Sequence, residues 1–142
     1  ATMIRPFDNY IDDNQVERQL ADHEQAKAMM DKAERRILYV KSRAINDKTA
    51  EFAFEDAYDA MREASHSLMA QNGLKPLGHE PVVAYLRDRE HIDQSVVEKL
   101  DSYRKLRNKS VYSARRIGMA TANEALAFAE HLIKRLKPIL KT

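Results

Sequence analysis

Cysteine is absent from the 142-residue chain, which also contains only three glycines and four prolines. The lack of cysteine excludes disulfides and thiolate chemistry and is in keeping with a reducing compartment, so we expect a cytoplasmic protein. Because glycine and proline interrupt helices, their scarcity favours helix along most of the chain. The length supports one domain with its own hydrophobic core.

Membrane and secretory segments are also missing from the sequence. No apolar run approaches the roughly 18 residues that a membrane span needs. The first residues include Arg5, Asp8 and Asp12 without an apolar stretch, so we expect no signal peptide. The formal net charge is only +2, so general polyanion binding is not expected. Charge is distributed unevenly, with an acidic N-terminal half and a basic region from Arg104 onward.

Hydrophobic spacing predicts an all-α, up-and-down bundle of four principal helices plus one short helix. Residues 1–14 contain Pro6 and are expected to form a flexible N-terminal arm, and residues 15–142 a single helical-bundle domain. The first helix is predicted to begin at about Asn14 and to end before the polar turn at residues 46–48.

The later helices carry start and stop signals. Gly73 suits the C-terminal end of the second helix, and Pro81 suits the first turn of the short helix. The next helix is predicted to begin after Asp93. Thr121 and Glu124 have the spacing of a capping box, which predicts the start of the last helix there.

The most cationic segment lies between Asp101 and Glu124, where six lysines or arginines and no acidic residues occur. These residues are Arg104, Lys105, Arg107, Lys109, Arg115 and Arg116. One interpretation is a solvated cationic face. The other is a phosphodiester-binding surface in which these side chains contact RNA, because arginine donates paired hydrogen bonds to phosphate and lysine adds charge.

Arg107 differs from the other cations because it interrupts an apolar pattern. Leu100, Tyr103, Arg107 and Val111 are three or four residues apart and share one face of a helix. A charge at such a position must be paired, face a partner or reach to water along its own stem.

No metal or cofactor site is expected. Glu63 and His66 have the spacing found in di-metal helical bundles, but such sites need a second copy and two further glutamates. The five histidines are otherwise scattered, and none forms a spaced pair of metal-ligand type.

The hexapeptide Arg107-Asn108-Lys109-Ser110-Val111-Tyr112 resembles the motif of the HEPN superfamily. Members of that family are small all-helical bundles, typically homodimers, with an Arg that is usually followed by a polar residue and then a His a few residues on. Residues 58–62 are similar to the second helix of the family. Residues 73–80 are similar to its loop with Gly and His before the short helix.

The resemblance implies a function that composition alone does not. Many members are metal-independent ribonucleases in toxin–antitoxin or other defence systems, and others accompany a nucleotidyltransferase. In active members, two copies of the motif meet in a cleft across the dimer. Arg107 would stabilise charge on the scissile phosphate, Asn108 would orient the phosphate or its partner residue, and Tyr112 would occupy the position of the motif His.

Tyr112, at the position of the motif His, favours RNA or nucleotide binding over RNA cleavage. Tyrosine has an unperturbed pKa near 10 and is a poor base at neutral pH. We therefore expect a homodimer that binds RNA or nucleotide through the Arg-Asn-x3-Tyr motif in a dimer cleft. The alternatives are a metal-independent ribonuclease toxin using the same motif, and a non-catalytic partner subunit of a nucleotidyltransferase. A nucleotidyltransferase and an antitoxin are the partner proteins that the resemblance implies.

Overall fold

Helix dominates the computed structural model, which describes residues 4–113 and 116–141. Within these residues there are six α-helices, one short 3-10 helix and two three-residue strands. Their bounds are α1 Phe7–Asp12, β1 Val16–Arg18, α2 His23–Lys41, α3 Ala50–Gln71, β2 Leu74–Pro76, α4 Glu80–Asp88, α5 Gln94–Ser113, α6 Met119–Leu136 and the 3-10 helix Lys137–Ile139.

The central element of the bundle is α3, which packs against α2, α5 and α6, while α4 packs against α3 and α5. Phe54, Tyr58, Met61 and Leu68 are one or two helical turns apart, lie on one face of α3 and are all buried. Burial of such side chains from several helices in one cluster stabilises the fold. The prediction of an all-α bundle is confirmed.

The prediction that the first long helix begins at about Asn14 is wrong. Asn14 has a left-handed backbone (φ 60°), and Val16 lies in β1, which pairs antiparallel with β2. The helix α2 begins only at His23, where the Asp22 side chain accepts a hydrogen bond from the Gln25 backbone N at 2.9 Å. Val16 is buried in the hydrophobic cluster, and Leu20, on the link between β1 and α2, is 91% exposed.

The segment expected to be a flexible arm is packed against the bundle from Ile4 onward. Phe7 and Tyr10 in α1 are buried, and the Phe7 ring meets the Tyr85 ring edge-on with 5.4 Å between centroids. The Phe7 backbone N also donates to Asp88 Oδ2 at 2.8 Å. Two buried aromatic side chains and a carboxylate at the end of α4 therefore hold this segment against the bundle. Its helix is too short to produce a detectable periodicity in the sequence.

Two of the punctuation signals are confirmed. Gly73 has φ 72°, and a Cβ there would lie 2.7 Å from the Gln19 carbonyl oxygen, so glycine is required by conformation and by space. Pro81 lies in the first turn of α4.

The capping-box prediction at Thr121 and Glu124 is wrong. The helix α6 begins earlier, at Met119, with Gly118 at the N-cap position. Glu124 instead pairs with Lys99 and accepts a hydrogen bond from the Tyr103 hydroxyl at 3.0 Å. The tertiary contact with α5 thus takes the carboxylate that the local pattern assigned to the helix terminus.

Within the described part of the chain, no helix combines the length and the hydropathy that crossing a lipid bilayer requires.

Candidate functional site

Arg107 lies on the face of α5 that packs against α3. Tyr103 and Leu100, one and two turns earlier on that face, are buried, whereas the Arg107 side chain is 29% exposed. The predicted register is therefore confirmed up to Arg107, which occupies the boundary between core and solvent. Val111 is the next position in the pattern, and its side chain is not among those that the structure describes.

Two residues of α3 surround the Arg107 guanidinium. Its Cζ lies 5.7 Å from the centroid of the buried Tyr58 ring. Its NH2 atom is 4.0 Å from Asp59 Oδ1. The ring face supplies a cation–π contact and the carboxylate a long ion pair, which together hold the charge at a position where the apolar pattern calls for a hydrophobic side chain.

The pairing between Arg107 and Asp59 is incomplete. Arg107 Nε and Asp59 Oδ1 are both buried, and among the described residues neither has a hydrogen-bond partner. Leaving such an atom unsatisfied costs about 1–3 kcal/mol, so native structures usually provide a partner. The pair therefore retains hydrogen-bonding capacity that the described residues do not satisfy.

Arg62 and His79 extend the same site. Arg62 NH2 is 3.5 Å from Asp59 Oδ1, so two arginines approach one carboxylate. The Tyr58 hydroxyl and His79 Nδ1 are 3.3 Å apart, and their ring centroids are 5.8 Å apart. We refer to Tyr58, Asp59, Arg62, His79 and Arg107 as the Arg107 cluster.

Burial controls the ionisation of the Arg107 cluster. Burial raises the pKa of Tyr58 to about 12 despite the nearby arginines. Burial, followed by the positive charges of Arg62 and Arg107, lowers the pKa of His79 below its usual value. Near pH 7 the tyrosine is therefore protonated and the histidine is neutral. With the Tyr58 hydroxyl donating to Nδ1, the Nε2–H of His79 is the donor left for an anion that the arginines attract.

Arg104 does not belong to the solvent-facing surface predicted for it. Its side chain is buried, its Nε donates to Asp101 Oδ1 at 2.7 Å, and its NH1 is 3.6 Å from Glu80 Oε1. Lys105 approaches the same aspartate, with 3.3 Å between Nζ and Oδ2. Asp101 lies one turn before both cations on α5 and pairs with them within that helix, and Glu80, at the start of α4, links Arg104 to a second helix. Arg104 thus forms internal ion pairs, and its contact with RNA stays a prediction.

The remaining predicted site residues lie at the surface where their side chains are described. Asn108, Lys109 and Arg116 are exposed. Tyr112 lies within α5, but its side chain is outside the description, as is the whole of Arg115. The structure thus brings Arg107 into a cluster and leaves Asn108 beside it on the outer surface of the helix.

Sequence reasoning did not select Tyr58, Asp59, Arg62 or His79 as site residues. They lie far from Arg107 along the chain and meet it only because α3, α5 and the loop before α4 pack together. The available signal was the resemblance of residues 58–62 and 73–80 to family segments, which indicated their elements but not their roles.

Glu63, which with His66 has the spacing of a di-metal motif, is engaged in an ion pair. Glu63 is buried, and its two carboxylate oxygens accept from Arg36 at 2.9 and 3.0 Å. This bidentate pair occupies the carboxylate that a metal site would need. In the described residues there is no group of three or more histidines, aspartates or glutamates placed to hold a metal ion.

A comparison of the chain with protein-family models, curated proteins and solved structures finds no match.

Proposed function

We propose that this protein is a HEPN-like homodimer that binds RNA or nucleotide at the Arg107 cluster. The observation that carries the proposal is the buried Nε of Arg107, which has no hydrogen-bond partner among the described residues. A phosphate oxygen is a suitable acceptor, because guanidinium binds phosphate with two parallel hydrogen bonds.

The neighbours of Arg107 favour an anion over a neutral ligand. Arg62 adds a second guanidinium on the same side of α3, and both arginines share the single carboxylate of Asp59. Within the Arg107 cluster, two positive charges thus stand against one negative charge, and Glu55 on α3 is a further carboxylate that interacts electrostatically with Arg107. Because Tyr58 and His79 remain neutral near pH 7, they add hydrogen-bonding capacity without cancelling the charge of the arginines.

Substitution of Arg107 tests this proposal. We expect Arg107→Ala to weaken single-stranded RNA binding about tenfold or more and to reduce the slope of log affinity against log salt by about one. The measurement is fluorescence anisotropy with labelled RNA at several salt concentrations.

The matched control is Arg89→Ala. Arg89 also places a guanidinium over an aromatic ring, with its Cζ 5.0 Å from the Phe7 centroid, and it pairs with Asp8 at 2.8 Å. It lies outside the Arg107 cluster, so its loss should leave RNA affinity unchanged. Equal affinities of wild type and Arg107→Ala would overturn the proposal.

An apolar region next to the cluster supports the dimeric part of the proposal. Phe52 and Tyr39 are 63% and 52% exposed, and both line a cavity of about 480 Å³ between the end of α2 and the start of α3. Phe52, Asp56 and Asp59 are spaced along one face of α3, so this apolar region is continuous with the Arg107 cluster. A second copy seated over Phe52 would bring two clusters to one interface.

The dimer can be tested independently of RNA. We expect wild type to be dimeric by light scattering and Phe52→Glu to be monomeric, because a charge at an apolar interface lacks a partner. Leu20→Glu is the control, since Leu20 is exposed on the link between β1 and α2 and should leave the dimer intact. A monomeric wild type at micromolar concentration would exclude a composite cleft.

The contact between His79 and Tyr58 favours a metal-independent ribonuclease as the second candidate function. A neutral histidine beside the arginines is a group that could transfer protons even though Tyr112 replaces the motif His. Incubation of RNA with the protein in EDTA distinguishes the two functions. Cleavage that is lost in both Arg107→Ala and His79→Gln supports the nuclease, and intact RNA supports binding alone.

A further inference from the structure

A shallow groove of about 200 Å³ adjoins the Arg107 cluster on the side of the loop before α4. Its lining residues are Arg62, His66, Pro76, Leu77, Gly78, His79 and Val82. We call it the histidine groove. Its volume is below the usual range of about 300–1,000 Å³ for small-molecule pockets, so it matches a group of the size of a phosphate better than a whole base.

Three side chains of the histidine groove can bind an anion. Arg62 and His66 are four residues apart on α3 and therefore lie on one face of the helix. His79 comes from the loop and is held by the Tyr58 hydroxyl through Nδ1, which leaves Nε2 as the ring atom available to a ligand. One guanidinium and two imidazoles thus converge from two elements.

The surroundings of both histidines are predominantly cationic. Burial and then the charges of Arg62 and Lys75 lower the pKa of His66. Burial, Arg62, Arg107 and Arg104 lower the pKa of His79, and Asp59 opposes them with a smaller effect. Without an anion, both rings are neutral near pH 7. A bound dianion would favour the protonated rings and would draw protons into the groove.

We propose that the histidine groove is a subsite for a terminal phosphate, the phosphomonoester of a nucleotide or of an RNA end. The ligand class follows from the geometry: a small groove with one permanent cation and two imidazoles that can take up protons is suited to a compact dianion. Internal phosphodiesters carry one charge each and remain at the Arg107 side of the cluster. The inference rests on the proposed binding of RNA or nucleotide at Arg107 and names the end of the ligand that the site selects.

The test uses two pairs of RNAs that all share one sequence. In one pair the RNAs differ by a phosphate at the 5′ end, and in the other pair by a phosphate at the 3′ end. We expect wild type to bind one of the phosphorylated RNAs about tenfold more tightly than its hydroxyl counterpart. The preference should increase as the pH is lowered from about 8 to about 6.5, because the bound dianion favours protonation of the histidines while the phosphate keeps its second charge above its pKa of about 6.

Variants separate the groove from the rest of the cluster. The double variant His66→Gln/His79→Gln should lose the preference for the terminal phosphate while still binding hydroxyl RNA. His66→Gln alone, which keeps the hydrogen bond between Tyr58 and His79, should reduce the preference and serves if the double variant fails to fold. His131→Gln, at an exposed histidine of α6, is the control and should behave as wild type.

The outcomes distinguish this inference from the proposed function. Equal binding of phosphorylated and hydroxyl RNA by wild type would overturn the subsite and leave RNA binding at Arg107 standing. A preference that persists in the double variant would also overturn it, because another part of the protein would then hold the phosphate. No binding of any RNA would remove both proposals.

Discussion

At the scale of single residues, Arg107 explains why an apolar pattern can contain a charge. The side chain is held between the face of the Tyr58 ring and the carboxylate of Asp59, at the edge of the core. Arg104, only one turn earlier, is fully engaged by Asp101 and Glu80. Two arginines of one helix thus differ in role because Arg104 donates to a carboxylate at 2.7 Å, whereas Arg107 is 4.0 Å from the carboxylate of Asp59.

Asp59 is the residue that limits the positive charge of the Arg107 cluster. We predict that Asp59→Asn tightens RNA binding by about twofold to fivefold, the range of a partly exposed charge interaction of up to about 1 kcal/mol. The measurement is RNA affinity at low salt, with Asp31→Asn as control because Asp31 forms an exposed pair with Arg35 away from the cluster. Weaker binding by Asp59→Asn would mean that the carboxylate itself contacts the ligand.

Glu63 and Arg36 form the bidentate ion pair that joins α3 to α2. We predict that Glu63→Gln lowers the free energy of unfolding by about 2 kcal/mol, because a largely buried guanidinium loses its bidentate carboxylate and keeps only Asp56 at 3.1 Å as a charged partner. Glu34→Gln removes a more exposed pair with Lys137 and should cost less than about 0.5 kcal/mol. Urea denaturation of both variants checks this, and equal effects would contradict it.

At the scale of elements, the short N-terminal helix α1 shows how tertiary contacts can order a segment with little intrinsic propensity. Six residues are too few for a stable isolated helix. Packing of Phe7 against Tyr85 and hydrogen bonds from Arg87 to the backbone of Ile4 and Arg5 supply what propensity does not.

We predict that Phe7→Ala destabilises the protein by about 3–5 kcal/mol, the usual range for removing a buried phenyl ring. The exposed Leu20→Ala should change stability by less than about 0.5 kcal/mol. Thermal unfolding followed by circular dichroism measures both variants. A small effect of Phe7→Ala would show that α1 contributes little to the bundle.

At the scale of the whole molecule, His66 and His79 couple stability to pH. Burial and neighbouring cations lower the pKa of both rings in the folded protein. In the unfolded chain the pKa of histidine is near 6.5, so below that pH the unfolded state binds protons that the folded state does not. Their contribution to stability is therefore fully present above about pH 6.5 and is lost as the pH falls through the lowered folded values.

We predict that the free energy of unfolding decreases between about pH 7 and pH 5 and that His66→Gln/His79→Gln flattens this dependence. Denaturant titrations at several pH values test it, with His131→Gln as control. An unchanged slope in the double variant would assign the pH dependence to other groups.

Several elements were predictable from local chemistry. Gly73 and Pro81 act through their own backbone geometry, and the apolar face of α3 follows from a spacing that repeats over many turns. Such signals are readable because their cause lies within a few residues. The helix start at Asn14 and the capping box at Thr121 failed because strand pairing and the contact of Glu124 with α5 outweighed local preference.

The sequence by itself determined a helical bundle, since its composition and its spacing of apolar residues allow little else. It also identified Arg107, because a charge in an apolar register is visible without coordinates. Only the tertiary structure decided what surrounds that charge: Tyr58, Asp59, Arg62 and His79 come from other elements. Their effect on charge and ionisation depends on distance and burial, which are properties of the packed chain.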